Sequence, residues 1–132
     1  MPYASVLGRD PEAIYRQVDA AGRVAEADGP ALVQALYDEL VRALRAAAWA
    51  CEHRQFAVKS DKVTRATAIL FALEAGLDFE KGGDVSKTLA SLYAGARKTI
   101  VDASIGGSAQ PFREVADSLE EIAAAWRQAR QG

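Results

Sequence analysis

The chain has 132 residues, 50% of them hydrophobic, with 16 Lys and Arg set against 18 Asp and Glu for a net charge of −2. That length suits one domain whose core needs no disulfide or metal, and the mildly acidic balance, pI about 5.4, argues against a general nucleic-acid binder. Cys51 is the only cysteine, so an internal disulfide is excluded; a reducing compartment fits, and with no apolar run of membrane-spanning length and no leader pattern a cytoplasmic protein without membrane insertion is expected.

Residues 1–10 contain Pro2 and Gly8 and show no period, which predicts a loose arm. Asp10-Pro11-Glu12 is a cap followed by proline at a first helical position, so a short helix is expected over 11–21, with Ile14, Tyr15 and Val18 on one side. Asp28-Gly29-Pro30 opens a second helix in the same style. Its apolar set is Leu32, Val33, Leu36, Tyr37, Leu40, Val41, Leu44, Ala48 and Cys51, and it ends near Gln55.

Ser60-Asp61 reads as the cap of a third helix carrying Val63, Ala66, Ile69, Leu70, Phe71, Leu73 and Leu77. The stretch from Leu77 to Asp84 then reads as a tight turn. Lys81 suits the negative end of a helix, the Gly82-Gly83 pair supplies a stop with φ > 0, and Asp84 caps a fourth helix from Val85. That helix runs through Leu89, Leu92, Tyr93, Ala96, Ile100 and Val101 to Gly106-Gly107, and Pro111 opens a fifth with Phe112, Val115, Leu119, Ile122 and Trp126.

Four long helices joined by short turns predict an all-α fold. The expected architecture is a single domain over 1–132, an antiparallel up-down four-helix bundle over 29–130 with the short N-terminal helix packed across it. The apolar sets of the second and third helices span about half the circumference or more at about 100° per residue. That is wider than two neighbours need, so something must cover the excess. Ala43, Ala46, Ala47 and Ala50 would let a guest helix approach closely, although alanine is also the best helix former. Trp49 lies off the apolar stripe, between Arg45 and His53 at helical spacing, and is a candidate exposed partner contact. Trp126 lies on the stripe of the last helix and is expected in the core.

Catalytic patterns are lacking. His53 is the only histidine and points to a different side of its helix from Cys51. Neither a metal site nor a Ser-His-Asp arrangement can be assembled, and the glycines lack phosphate-cradle spacing. No cofactor, no metal and no enzymatic activity are expected. A histidine phosphotransfer module shares the outline of a bundle with one histidine, but the lysine and glycine that follow the histidine in such modules are missing here.

Four segments carry a resemblance: Ala13-Ile14-Tyr15-Arg16-Gln17-Val18, Gly29-Pro30-Ala31-Leu32-Val33-Gln34-Ala35-Leu36-Tyr37-Asp38, Leu77 to Asp84, and Leu89-Ala90-Ser91-Leu92-Tyr93, followed by Ala125-Trp126. In this order they resemble the flagellin-specific export chaperone family, FliS, over about residues 13–128. Asp28-Gly29 stand where that family often has Ser or Thr. The resemblance implies a cytoplasmic chaperone that holds the disordered C-terminal segment of flagellin, prevents premature polymerisation and helps present the subunit to the flagellar export gate. It implies no nucleotide or metal.

Joined to the wide apolar faces, the resemblance points to a helix-in-groove site for a guest that folds on binding. The residues expected to line it are Leu36, Tyr37, Leu40, Leu44, Leu73, Leu77, Leu89 and Tyr93, with Ile14, Tyr15 and Val18 as an N-terminal cap. Tyr37 and Tyr93 either line the groove with hydroxyls at its wet rim or belong to the core. The chain is expected as a monomer or weak homodimer. The competing reading is a non-catalytic adaptor that uses the same faces to self-associate.

Overall fold

The computed structural model describes residues 29–131, and the expected arm over 1–10 and helix over 11–21, with Ile14, Tyr15 and Val18, lie outside the described residues. Four helices follow: α1 (Gly29–Glu52), α2 (Phe56–Ala75), α3 (Phe79–Ile105) and α4 (Gln110–Gln131). No strand occurs among the described residues. α1 packs on α2 and α4, and α3 packs on the same two. α1 and α3 therefore face each other across the middle of a helical bundle.

Helical spacing selects the core. Leu36, Leu40 and Leu44 follow one another at four-residue steps on α1 and meet Ile69 and Leu70 of α2, Ile100 of α3, and Phe112 and Leu119 of α4. Each is fully or almost fully buried, and burying one such side chain contributes about 1.5–3 kcal/mol. Ala43, Ala47 and Ala50 are also buried. Their small side chains serve close packing within the bundle itself, which corrects their reading as an approach path for a guest.

Arginine pairs tie the seams. Arg127 Nη1 to Asp38 Oδ1 at 3.0 Å, Arg45 Nη1 to Asp117 Oδ1 at 3.1 Å, and Arg113 to Glu52 join α4 to α1. Asp38, Arg45 and Glu52 stand two helical turns apart, so the pairs recur along one line. Glu39 accepts from Arg65 Nε of α2 at 2.7 Å and from Arg42 Nη2 at 2.8 Å. Burial disfavours its charge, but the two guanidinium groups outweigh that effect and hold the carboxyl below its usual range. Arg97 pairs with Glu74 and lies 4.1 Å over the Phe71 ring, closing α3 onto α2. Among the described residues no ion pair crosses from α3 to α4, and that seam is the most sparsely packed of the four.

Two helix starts differ from expectation. α2 begins at Phe56, with Gln55 as its cap position, rather than after Ser60-Asp61. The reversal is made upstream of them. Arg54 takes φ 58°, Gln55 N donates to Ala50 O at 2.8 Å and Arg54 N to Cys51 O at 3.3 Å. This is a Schellman closure of α1 with arginine in the usual glycine place. Nothing from Phe56 to Lys59 then interrupts a helix.

The other difference lies at α3. An additional cap stands at Asp78: its Oδ1 accepts Lys81 N at 2.9 Å and opens a first turn of α3 at Phe79, ahead of the glycines. Lys81 thus sits in the first turn of α3 instead of closing α2, which ends against Gly76. Gly83, with φ 51° and ψ −123°, is the expected glycine break with φ > 0: it parts the first turn of α3 from the long helix that follows it. A helix is resumed because the Asp78 carbonyl receives both Gly82 N at 2.8 Å and Ser86 Oγ at 2.9 Å, bridging the kink.

Candidate functional site

Along the open edge of α3 beside α4 the side chains are short: Ser91, Gly95 and Thr99 lie one above another at four-residue spacing. They cannot fill the space between the two helices. A cavity of about 400 Å³ results, with Leu92, Ala96, Val115 and Leu119 as its apolar lining. Ser91, Gly95, Thr99 and Ser118 are exposed, so the cavity opens outward as a groove.

One turn back along α3 a second cavity of about 320 Å³ lies where the ends of α1, α2 and α4 meet the start of α3. Val33, Leu73, Leu77, Leu89, Tyr93 and Trp126 form its apolar wall, and Asp78, Lys81, Gly82 and Ser86 close it on the side of the kinked turn. Close packing shapes that turn, since a Cβ on Gly82 would stand 1.9 Å from Ser86 Oγ. Together the cavities follow α3 from Ser86 to Thr99, ~20 Å at 1.5 Å per residue.

The residues expected to line a groove divide in two. Leu36, Tyr37, Leu40 and Leu44 are fully buried among the helices of the bundle, so they form its interior. Leu73, Leu77, Leu89 and Tyr93 come together at the second cavity, with Leu77 and Leu89 half-buried. Tyr37 and Tyr93 do not reach a wet rim. Their hydroxyls meet across the core at 2.5 Å, with ring centroids 6.3 Å apart. Burial, and then the hydrogen bond to Tyr93, push the Tyr37 phenol far above its ordinary range. Trp126 is not a core residue. It is half-buried, packs 5.7 Å from the Tyr37 ring and forms part of the cavity wall.

Sequence reasoning missed Leu92, Gly95 and Val115 as groove residues. Their signal was the row of small residues at helical spacing on α3, which a search for apolar stripes passes over. The opposite flank of α3 and its ends are also apolar and open: Val85 is 66% and Ile105 84% exposed, Phe79 and Val101 of the same helix are exposed as well, and so are Phe56 and Phe71 on α2. Trp49 lies on the outer side of α1, 51% exposed, its ring stacked 4.1 Å from that of His53.

Cys51 Sγ is directed at the Gly107 carbonyl, 3.4 Å away. Among the described residues no three His, Cys, Asp or Glu side chains are grouped to hold a metal, and no helix is long and apolar enough to cross a membrane. What the geometry offers is surface: a groove with an apolar floor and exposed apolar flanks, a form suited to binding another chain.

The family model for flagellar protein FliS matches residues 12–132. The chain belongs to the FliS family. It is similar to flagellar secretion chaperone FliS of Salmonella typhimurium, 33% identical over 115 residues, covering 86% of this chain and 85% of that protein. It is also similar to flagellar secretion chaperone FliSB of Pseudomonas aeruginosa, 29% identical over 112 residues with 85% and 89% covered. A third relative is FliS of Vibrio cholerae, 27% identical over 114 residues with 86% and 84% covered. In this FliS-family chain the Leu77–Asp84 segment that carried the resemblance builds the kinked turn and one wall of the second cavity.

Proposed function

We propose that this chain is a cytoplasmic, non-catalytic flagellar secretion chaperone that binds the disordered C-terminal segment of flagellin. Binding keeps the subunit from polymerising early and delivers it to an export-gate component. The whole chain is then an antiparallel up-down bundle with the segment 11–21 as a short helix packed across it. The observation that carries the reading is the exposed apolar character of α3, open both to the α4 groove and on its other flank, in a member of the FliS family. Apolar surface of that kind on a small protein marks a partner site. A guest that folds as it docks can cover it while remaining releasable, because part of the contact energy is spent on ordering the guest.

The N-terminal residues Ile14, Tyr15 and Val18 compete with the guest for the same surface. Tethering gives them an effective concentration of roughly millimolar, so weak contacts suffice.

Calorimetric titration with a peptide of the last ~60 flagellin residues, a length set by the ~1,000–3,000 Å² buried in coupled folding, tests the reading. One-to-one binding with a strongly negative heat-capacity change is expected, and removal of residues 1–20 tightens it. Absence of binding by a folded monomer refutes the client. A stable dimer that ignores the peptide replaces the chaperone with a self-associating adaptor.

A further inference from the structure

We propose that Gly95 is the point of closest approach for a helix of the guest, and that the α3–α4 groove selects a helix with a small residue there and basic residues along its α4-facing edge. The inference rests on the chaperone reading and adds the chemistry of the bound segment.

Among the described residues nothing in the fold calls for a glycine at 95. It sits in the middle of α3, where glycine is the poorest helix former apart from proline. Its φ is not positive, and a Cβ built on it meets nothing within 4 Å. The other glycines of α3 are explained locally, Gly82 by the closeness of Ser86 and Gly83 by φ 51°. Alanine at 95 would meet no clash among the described residues and would favour the helix. What glycine provides instead is room, at the midpoint of the Ser91–Thr99 row and on the open side of the cavity floored by Leu92 and Val115. Helix axes come closest where the side chains between them are smallest, so a guest helix seated here touches α3 at Gly95.

Charge indicates which helix. Glu114 lines the cavity, and Glu121 stands two turns further along the same side of α4. Both are exposed, and neither pairs with a cation among the described residues. The carboxylates toward α1 differ: Asp117 pairs with Arg45, and Glu120 with Arg127. Lys98 of α3 is held by Asp102 at 3.0 Å. Among the described residues the groove thus keeps an unneutralised acidic edge, complementary to Lys or Arg at two-turn spacing on the occupant.

The test compares the full chain with Gly95→Ala, Gly95→Leu and the pair Glu114→Gln/Glu121→Gln. Each is titrated with the same C-terminal flagellin peptide, and thermal unfolding is followed by circular dichroism. Gly95→Ala and Gly95→Leu are expected to melt no lower than the parent. Gly95→Ala binds more weakly and Gly95→Leu about tenfold or more weakly, as overpacking a close contact implies. The glutamine pair loses part of the salt dependence of binding. Equal affinity of the parent and Gly95→Leu, both folded, overturns the groove assignment and leaves the chaperone reading standing. If the parent itself fails to bind the peptide, both fall. Loss of a dimer in Gly95→Leu, with peptide binding intact, assigns the groove to a second copy and overturns the proposal.

Discussion

The pair Tyr37 and Tyr93 shows how much one side chain can conceal. Each follows a leucine at a core-facing position, and periodicity gives the side of the helix but not the depth. The deciding fact is that α1 and α3 lie opposite each other, so that two phenols 56 positions apart share one hydrogen bond of 2.5 Å. Leaving a buried polar group less well satisfied costs about 1–3 kcal/mol. Tyr37→Phe is expected to destabilise the protein by about that much, and Tyr93→Phe likewise. The double variant should lose less than the sum by at least about 0.5 kcal/mol, the signature of a coupled pair in urea unfolding. Strict additivity would mean that the hydroxyls contribute separately. Tyr37 also contributes to how stability falls at alkaline pH. An unfolded tyrosine ionises near pH 10.0, whereas Tyr37 in the fold ionises well above it. Its contribution is therefore complete below pH 10 and lost as pH rises beyond it. In Tyr37→Phe the fall of the urea midpoint above pH 10 becomes shallower.

At the scale of elements, the helices themselves were legible and their junctions less so. Pro111 and Gly106 bracket the α3–α4 connection as their chemistry demands. The α1–α2 reversal was not legible, because it is made by backbone hydrogen bonds around a residue type that gives no turn signal. Arg54 holds φ 58° where glycine would rest without strain. An L-residue in that region costs roughly 1–2 kcal/mol. Arg54→Gly should accordingly raise stability by about 1 kcal/mol, seen as a higher melting temperature with unchanged helix content. A lower melting temperature would mean that the arginine side chain supplies an attraction greater than the strain. The groove was hidden for a related reason. A reading that counts large apolar residues found Leu89 and Tyr93, yet the opening exists because Ser91, Gly95 and Thr99 are too short to fill it. At Leu77–Asp84 the glycine break with φ > 0 was legible, but the extra helical turn that Asp78 caps ahead of it was not, since Asp78 and Asp84 are equivalent as residue types. Only the convergence of Gly82 and Ser86 on the Asp78 carbonyl distinguishes them.

For the whole molecule the question is which side receives a partner, and the two tryptophans stand on opposite sides. Trp126 belongs to the cavity wall beside α3, while Trp49 stacks on His53 on the outer side of α1. α1 lies across the bundle from α3 and is fastened to α4 by the line of Arg127–Asp38, Arg45–Asp117 and Arg113–Glu52 pairs. Each such surface pair is worth at most about 1 kcal/mol, but the recurrence fixes the register of α1 on α4. The seam between α3 and α4 has no such fastening among the described residues, so accommodation of a guest is expected there. Single-tryptophan proteins separate the two sides. In Trp49→Phe the remaining emission comes from Trp126, and it should shift to shorter wavelength when a tryptophan-free flagellin tail binds, because a half-buried indole loses its remaining water. In Trp126→Phe the remaining emission comes from Trp49 and should stay where it was at saturating tail. A shift of Trp49 alone would move the guest to the outer side of α1 and leave the α3–α4 groove as a packing defect. Shifts of both would require a guest long enough to encircle the bundle. Its path could then be followed by repeating the titration with tails shortened from either end until one of the two signals is lost.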